Sequence, residues 1–100
     1  MTNFDYKQMD DIIHSRIRLA IMAVLVSVER AEFTFLRDQV KATDGNLGTH
    51  LKKLEDAGYV SVHKRFVERK PVTDYTLTQR GRQAFAQYLR RLEDLLPKRS

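Results

Sequence analysis

Leucines at positions 47, 51 and 54, followed closely by Gly58 and then by an alternating run, constrain this chain more than any other stretch. At 3.6 residues per turn the three leucines share one narrow face, the spacing that buries one edge of a helix. Thr49 and Lys53 project to the opposite side with Asn46 and Lys52 flanking them, so a core face is backed by a compact polar and basic one. Glu55 and Asp56 come only in the last turns, so the end that carries Asn46, Thr49 and Lys53 is expected to be free of carboxylates and to bear the positive end of the helix dipole. That end suits approach to a phosphate backbone.

The flanking sequence brackets this helix, expected over about residues 44–57. Before it, Phe33-Thr34-Phe35 is β-prone, with Thr34 a candidate cap, and Phe35 to Ala42 forms a brief helix with Leu36 and Val40 four apart. Thr43-Asp44-Gly45 breaks that helix, and two short helices joined by a tight turn containing Gly make a helix-turn-helix. After it, Ala57-Gly58 closes the helix, Gly58 being placed for the left-handed residue. Tyr59 to Val67 alternates, Val60, Val62 and Phe66 against Ser61, His63 and Arg65, and Val72 to Leu77 alternates with Tyr75 and Leu77 inward. The pair predicts a hairpin whose tip, Val67 to Pro71, carries Arg69 and Lys70. Ser15 caps a helix from Arg16 to about Glu29 that is apolar nearly all round from Leu19 to Val28. Thr78 caps a last helix running to Leu96 before Pro97, with an apolar stripe that ends in Leu89, Leu92, Leu95 and Leu96. So small a body leaves the distal leucines to be covered by a second subunit, joined through the first and last helices. The expected fold is mainly α with a small β-hairpin, in the order α-α-α-β-β-α.

Composition narrows the function classes. One domain over residues 1–100 is expected, with a core at about 12–96, a lead-in at 1–11 and a tail at 97–100. A net charge of +5 suits a polyanionic partner. Zero cysteines removes disulfides, thiolate metal sites and Cys nucleophiles together. The apolar run from Leu19 to Val26 falls far short of the ~20 residues that span a bilayer, and the first residues carry no basic segment leading into an apolar one. A cytoplasmic location without membrane contact is the expectation. Three widely separated histidines and the absence of nucleophile, phosphate-loop and metal-pair motifs predict neither catalysis nor a metal or cofactor.

The phrases Asp44-Gly-Asn-Leu-Gly-Thr-His-Leu-Lys-Lys-Leu-Glu-Asp-Ala-Gly-Tyr-Val60 and Leu77-Thr-Gln-Arg-Gly81, in this order of elements, resemble the winged-helix transcriptional regulators of the ArsR and MarR type, in their compact form. His14-Ser-Arg-Ile-Arg-Leu19 resembles the start of the helix that opens their domain. The resemblance implies a homodimer on double-stranded DNA, with recognition helices in the major groove and wings, about residues 64–71, on the backbone or minor groove. By position, Asn46, Thr49, His50 and Lys53 face the groove, Lys52 lies nearer a phosphate, and Lys64, Arg65, Arg69 and Lys70 lie on the wing. His50 borders the apolar face, so a structural hydrogen bond stands beside base contact as its role. Two positions depart from the pattern: Gly48 where Ser is common, and Glu68 at the wing tip where a small residue is usual. That acid motivates an alternative, a winged helix used to bind protein without specific DNA contact. The operator, the sign of regulation and any effector are not legible.

Overall fold

The structure, a computed structural model, describes residues 6–96. A short 3-10 turn at Tyr6–Gln8 leads to Asp10, whose Oδ1 accepts from the amides of Ile12 (2.8 Å) and Ile13 (3.2 Å). The Tyr59 hydroxyl donates to Asp10 Oδ2 at 2.5 Å, and Ile13 is fully buried. The later part of the lead-in, around Asp10, is thereby docked on the body, while its residues 1–5 lie outside the described residues. Burial, reinforced by that carboxylate, pushes the Tyr59 phenol up to about 12.

Helix α1 spans Arg16–Ser27, and Ser15 Oγ accepts from the Arg18 amide at 3.4 Å as its cap. Ile21, Met22 and Leu25 are buried, but Val26 is 43% exposed, so the apolar surface continues past what the body covers. Ala31–Glu32 forms strand β1, and helix α2 follows at once over Phe33–Val40. This corrects the expected β-prone stretch at 33–35: Ala31 pairs with Tyr75 and Glu32 with Asp74, so the extended residues lie two earlier. Glu32 is the residue before the helix and makes no side-chain cap, while Thr34 lies inside the first turn and caps nothing. Lys41, left-handed at φ 56°, ends α2, and Thr43 Oγ1 accepts from the Asn46 amide at 3.1 Å to start helix α3, Asp44–Asp56. Leu47, Leu51 and Leu54 are buried, as their spacing requires. Gly58 is left-handed at φ 80°, the conformation only glycine adopts at little cost.

Strands β2 (Val60–Val67) and β3 (Lys70–Leu77) pair in register from Val60↔Leu77 to Val67↔Lys70, giving a sheet ordered β1-β3-β2. The tip is tighter than expected. Only Glu68 and Arg69 form the turn, both left-handed at φ 50° and 69°, the two-residue connection whose twist matches the strands. Lys70 and Pro71 therefore belong to β3. Phe66 shares the face of Val60 and Val62 but is 76% exposed, because the hairpin outruns the helices beneath it.

Thr78 opens helix α4, Gln79–Glu93. Its hydroxyl donates to the Gly58 carbonyl at 2.6 Å and accepts from the Gly81 amide at 2.9 Å, while its amide donates to the Tyr59 carbonyl at 3.0 Å. A Cβ at Gly81 would run into that same Tyr59 carbonyl. The Leu-Thr-x-x-Gly phrase is thus a clamp that seats α4 on the end of α3. The helix stops at Glu93 rather than Leu96; residues 94–96 continue only as turns, and the expected tail at 97–100 lies outside the described residues. The core is the contact of α1, α2 and α3 with one sheet face, closed by Phe85 and Tyr88 of α4. Among the described residues no helix is long and apolar enough to cross a membrane.

Candidate nucleic-acid interface

With three leucines inward, α3 turns Asn46, Thr49 and Lys53 to solvent, all exposed. Among the described residues Lys53 forms no ion pair. Lys52 differs: its ammonium lies 3.1 Å from Asp56 and 3.8 Å from Glu55, which raise its pKa through the Asp56 contact first. The start of α3 is not free of carboxylates as expected: Asp44 lies in its first turn, where Arg37 of α2 holds it at 3.0 Å, so the helix start is not left with an unbalanced negative charge. Cβ atoms built at Gly45 or Gly48 would meet no heavy atom within 4 Å, so α3 is low and open along that side.

His50 is half-buried at the edge of the same surface, and its Nδ1 lies 2.8 Å from Arg18 Nη1. Arg18 is anchored in turn on the carbonyls of Ile12 and, at 3.3 Å, Asp11. Guanidinium is always a donor, so Nδ1 is the acceptor and the ring proton sits on Nε2. Burial first, then the charges of Arg18 and Lys53, lowers the His50 pKa and keeps the ring neutral near pH 7. The ring thus has a structural bond at one nitrogen and a donor at the other.

The wing lies beside α3 across a cleft of about 250 Å³ lined by Gly48, Lys52, Val62, Lys64 and Tyr75 among others. Lys64 therefore faces the same space as α3. Arg65, one residue on, faces away: its Nε donates to Asp74 Oδ2 at 2.6 Å and its Nη2 to Glu32 at 3.4 Å, and Arg30 adds a contact to Asp74 at 3.4 Å. The Asp74 side chain is only 1% exposed, and the Arg65 bond holds its carboxyl below the usual range against the opposing effect of burial. Arg65 is thus engaged in joining β2, β3 and β1. Arg69 and Lys70 at the turn are exposed and form no ion pair among the described residues. Leu89, Leu95 and Leu96 are 42%, 52% and 64% exposed, whereas Leu92 packs partly on the core.

Sequence reasoning missed Arg18, Arg30 and Asp74. Arg18 and Arg30 each act through a partner more than 30 positions away, and Asp74 acts through Arg65 across the hairpin as well as through Arg30, pairs that no local pattern marks. Among the described residues no cluster of His, Asp and Glu is arranged to hold a metal ion.

Comparison with known proteins gives the same outline. The family described as Winged helix DNA-binding domain matches residues 17–96. An uncharacterized protein of Methanocaldococcus jannaschii is 40% identical over 78 residues, 78% of this chain and 85% of that one. Among solved structures, a transcriptional regulator homologue from Pyrococcus horikoshii superposes with a TM-score of 0.80 at 30% identity, covering 87% of each chain. A MarR-family transcriptional regulator from Silicibacter pomeroyi gives a TM-score of 0.67 at 17% identity over 87% of this chain and 57% of that one, a likeness of fold.

Proposed function

This chain belongs to the winged helix DNA-binding domain family, a DNA-binding regulator of transcription by family and fold, and from that membership we propose that it acts as a homodimer reading an inverted repeat. The observation that carries the reading is the solvent face of α3: Asn46, Thr49 and Lys53, the last without an ion pair among the described residues, side by side, with Lys64 across the cleft. Asn and Thr supply donors and acceptors that tell major-groove base edges apart, Lys adds a donor for guanine, and His50 contributes Nε2–H toward a purine N7 or a carbonyl. Lys64, Arg69 and Lys70 supply affinity and register through phosphates. Lys52 serves a phosphate only after leaving its carboxylates, and Arg65 contributes by holding the wing.

Pairing of two copies covers the leucines that α4 and its C-terminal turns leave exposed and brings two α3 helices onto one duplex face. The half-sites are then about 34–36 Å apart, one helical turn. Selecting bound sequences from random duplex DNA tests this directly, with an inverted repeat of that spacing as the expected outcome. Lys53→Ala is expected to lower the salt slope of binding by about 1. Undetectable or salt-independent binding at low ionic strength would sink the reading and leave the protein-binding module in its place.

A further inference from the structure

Phe66 has the highest exposure of any large apolar side chain among the described residues and belongs to no core cluster. A solitary exposed apolar residue is ordinary. This one is not solitary, because Phe66 pairs with Pro71, also exposed, across the hairpin. Val67↔Lys70 closes the two-residue turn as the hydrogen-bonded pair, so the next pair, Phe66↔Pro71, is the narrow one without ladder bonds. Proline's missing N–H therefore costs the ladder nothing there, and the two side chains stand close together. They lie on the strand face that Val62 and Lys64 turn toward the α3 cleft, in line with the reading surface.

Size and charge decide what covers this pair. Two side chains offer far less than the roughly 800 Å² per partner that a specific protein interface needs. A small apolar wedge on a basic ribbon does suit the sugars and base steps of a minor groove, where Phe and Pro recur in that role. Lys64 on one side and Arg69 and Lys70 on the other, all without ion pairs among the described residues, supply the phosphate attraction that would seat it. An acid at Glu68 opposes entry of the bare tip between phosphates, which leaves the α3-facing side of the hairpin as the contact.

We propose that Phe66, backed by Pro71, is an apolar minor-groove contact of the wing, lying against the sugars that flank the bases read by α3. The proposal rests on the DNA-binding reading above. Phe66→Ala removes an exposed ring and is expected to leave the melting temperature unchanged. On DNA selected by the wild type, its affinity is expected to fall about 10-fold or more, the lower end for burying a phenyl ring. Its salt slope is expected to stay as in the wild type, whereas Lys64→Ala lowers the slope by about 1. Hydroxyl-radical footprinting is expected to show flanking sugars protected by the wild type and by Phe66→Tyr but open with Phe66→Ala. Wild-type affinity and footprint in Phe66→Ala overturn the proposal while leaving the α3 reading intact. A lower sedimentation mass of Phe66→Ala without DNA overturns it in favour of a contact between copies. A wild type that binds no duplex removes the reading beneath it as well.

Discussion

Two glycines, at 48 and 81, show how the same residue serves opposite needs. Gly81 is required from within: Tyr59's carbonyl occupies the space of a Cβ, so Gly81→Ala is expected to cost about 1–3 kcal/mol through overpacking. Gly48 is in the middle of α3 with open space around it, and glycine in a helix interior costs about 0.5–1 kcal/mol relative to alanine. Gly48→Ala is therefore expected to stabilise the protein by about that amount. Urea titration of the two variants checks both signs, and equal shifts would refute this account. If close approach of DNA is what the glycine serves, the more stable variant will also bind less well. The sequence made Gly48 conspicuous only as a departure from a pattern, and it could not separate these two glycines, because the difference is one carbonyl brought in from 22 positions away.

At the scale of elements, the wing is held by a charge cluster rather than by apolar packing along its length. Asp74 on the central strand is buried, Arg65 of β2 and Arg30 before β1 converge on it, and Glu32 of β1 takes the other end of Arg65. Its folded carboxyl titrates below the ordinary value of 3.8, chiefly through the Arg65 bond. The stabilisation is thus complete above that ordinary value and drains away as pH falls through the lower folded one. Arg65→Met is expected to cost about 1–3 kcal/mol at neutral pH by leaving a buried acceptor short of its best partner. It is also expected to move acid unfolding to higher pH, as read by circular dichroism across a pH series; an unmoved acid limb would show that the cluster is ornamental. Helix α3, the three side-chain caps at Ser15, Thr43 and Thr78, and the hairpin each rest on local chemistry, and the sequence revealed the helix, the hairpin and two of those caps. Thr43 read only as part of a break. Strand β1 has two residues, too few to show any period, and is held by its partner strand. Asp74 alternates like a solvent-facing residue, and only the sheet register reveals that it is enclosed. The docking of the lead-in through Asp10 and Tyr59 was hidden for the same reason, 49 positions separating the pair.

The whole molecule is elongated, 59 × 25 × 25 Å, with a radius of gyration of 15.4 Å where a compact chain of this length has about 13 Å. Protruding parts need something to lean on, and the leucines beyond the core on α4 and its final turns give one protrusion an apolar side. Leu89→Glu is expected to separate paired copies by burying an unpaired charge at their contact, while leaving the monomer fold intact because Leu89 is exposed in the single chain. Light scattering at micromolar concentration checks this: a wild-type mass near 11.7 kDa would refute pairing outright. The bonds of Thr78 acquire a mechanical meaning in such a pair. One hydroxyl and one amide fasten the start of α4 to the turn that ends α3, so the two helices form an elbow with no slack in it. Any change in the angle at which two α4 shafts meet is carried, undamped and magnified by the length of the arm, to the span between the two reading helices. The hold of such a pair on DNA can in this way be tuned by adjusting a hinge far from it.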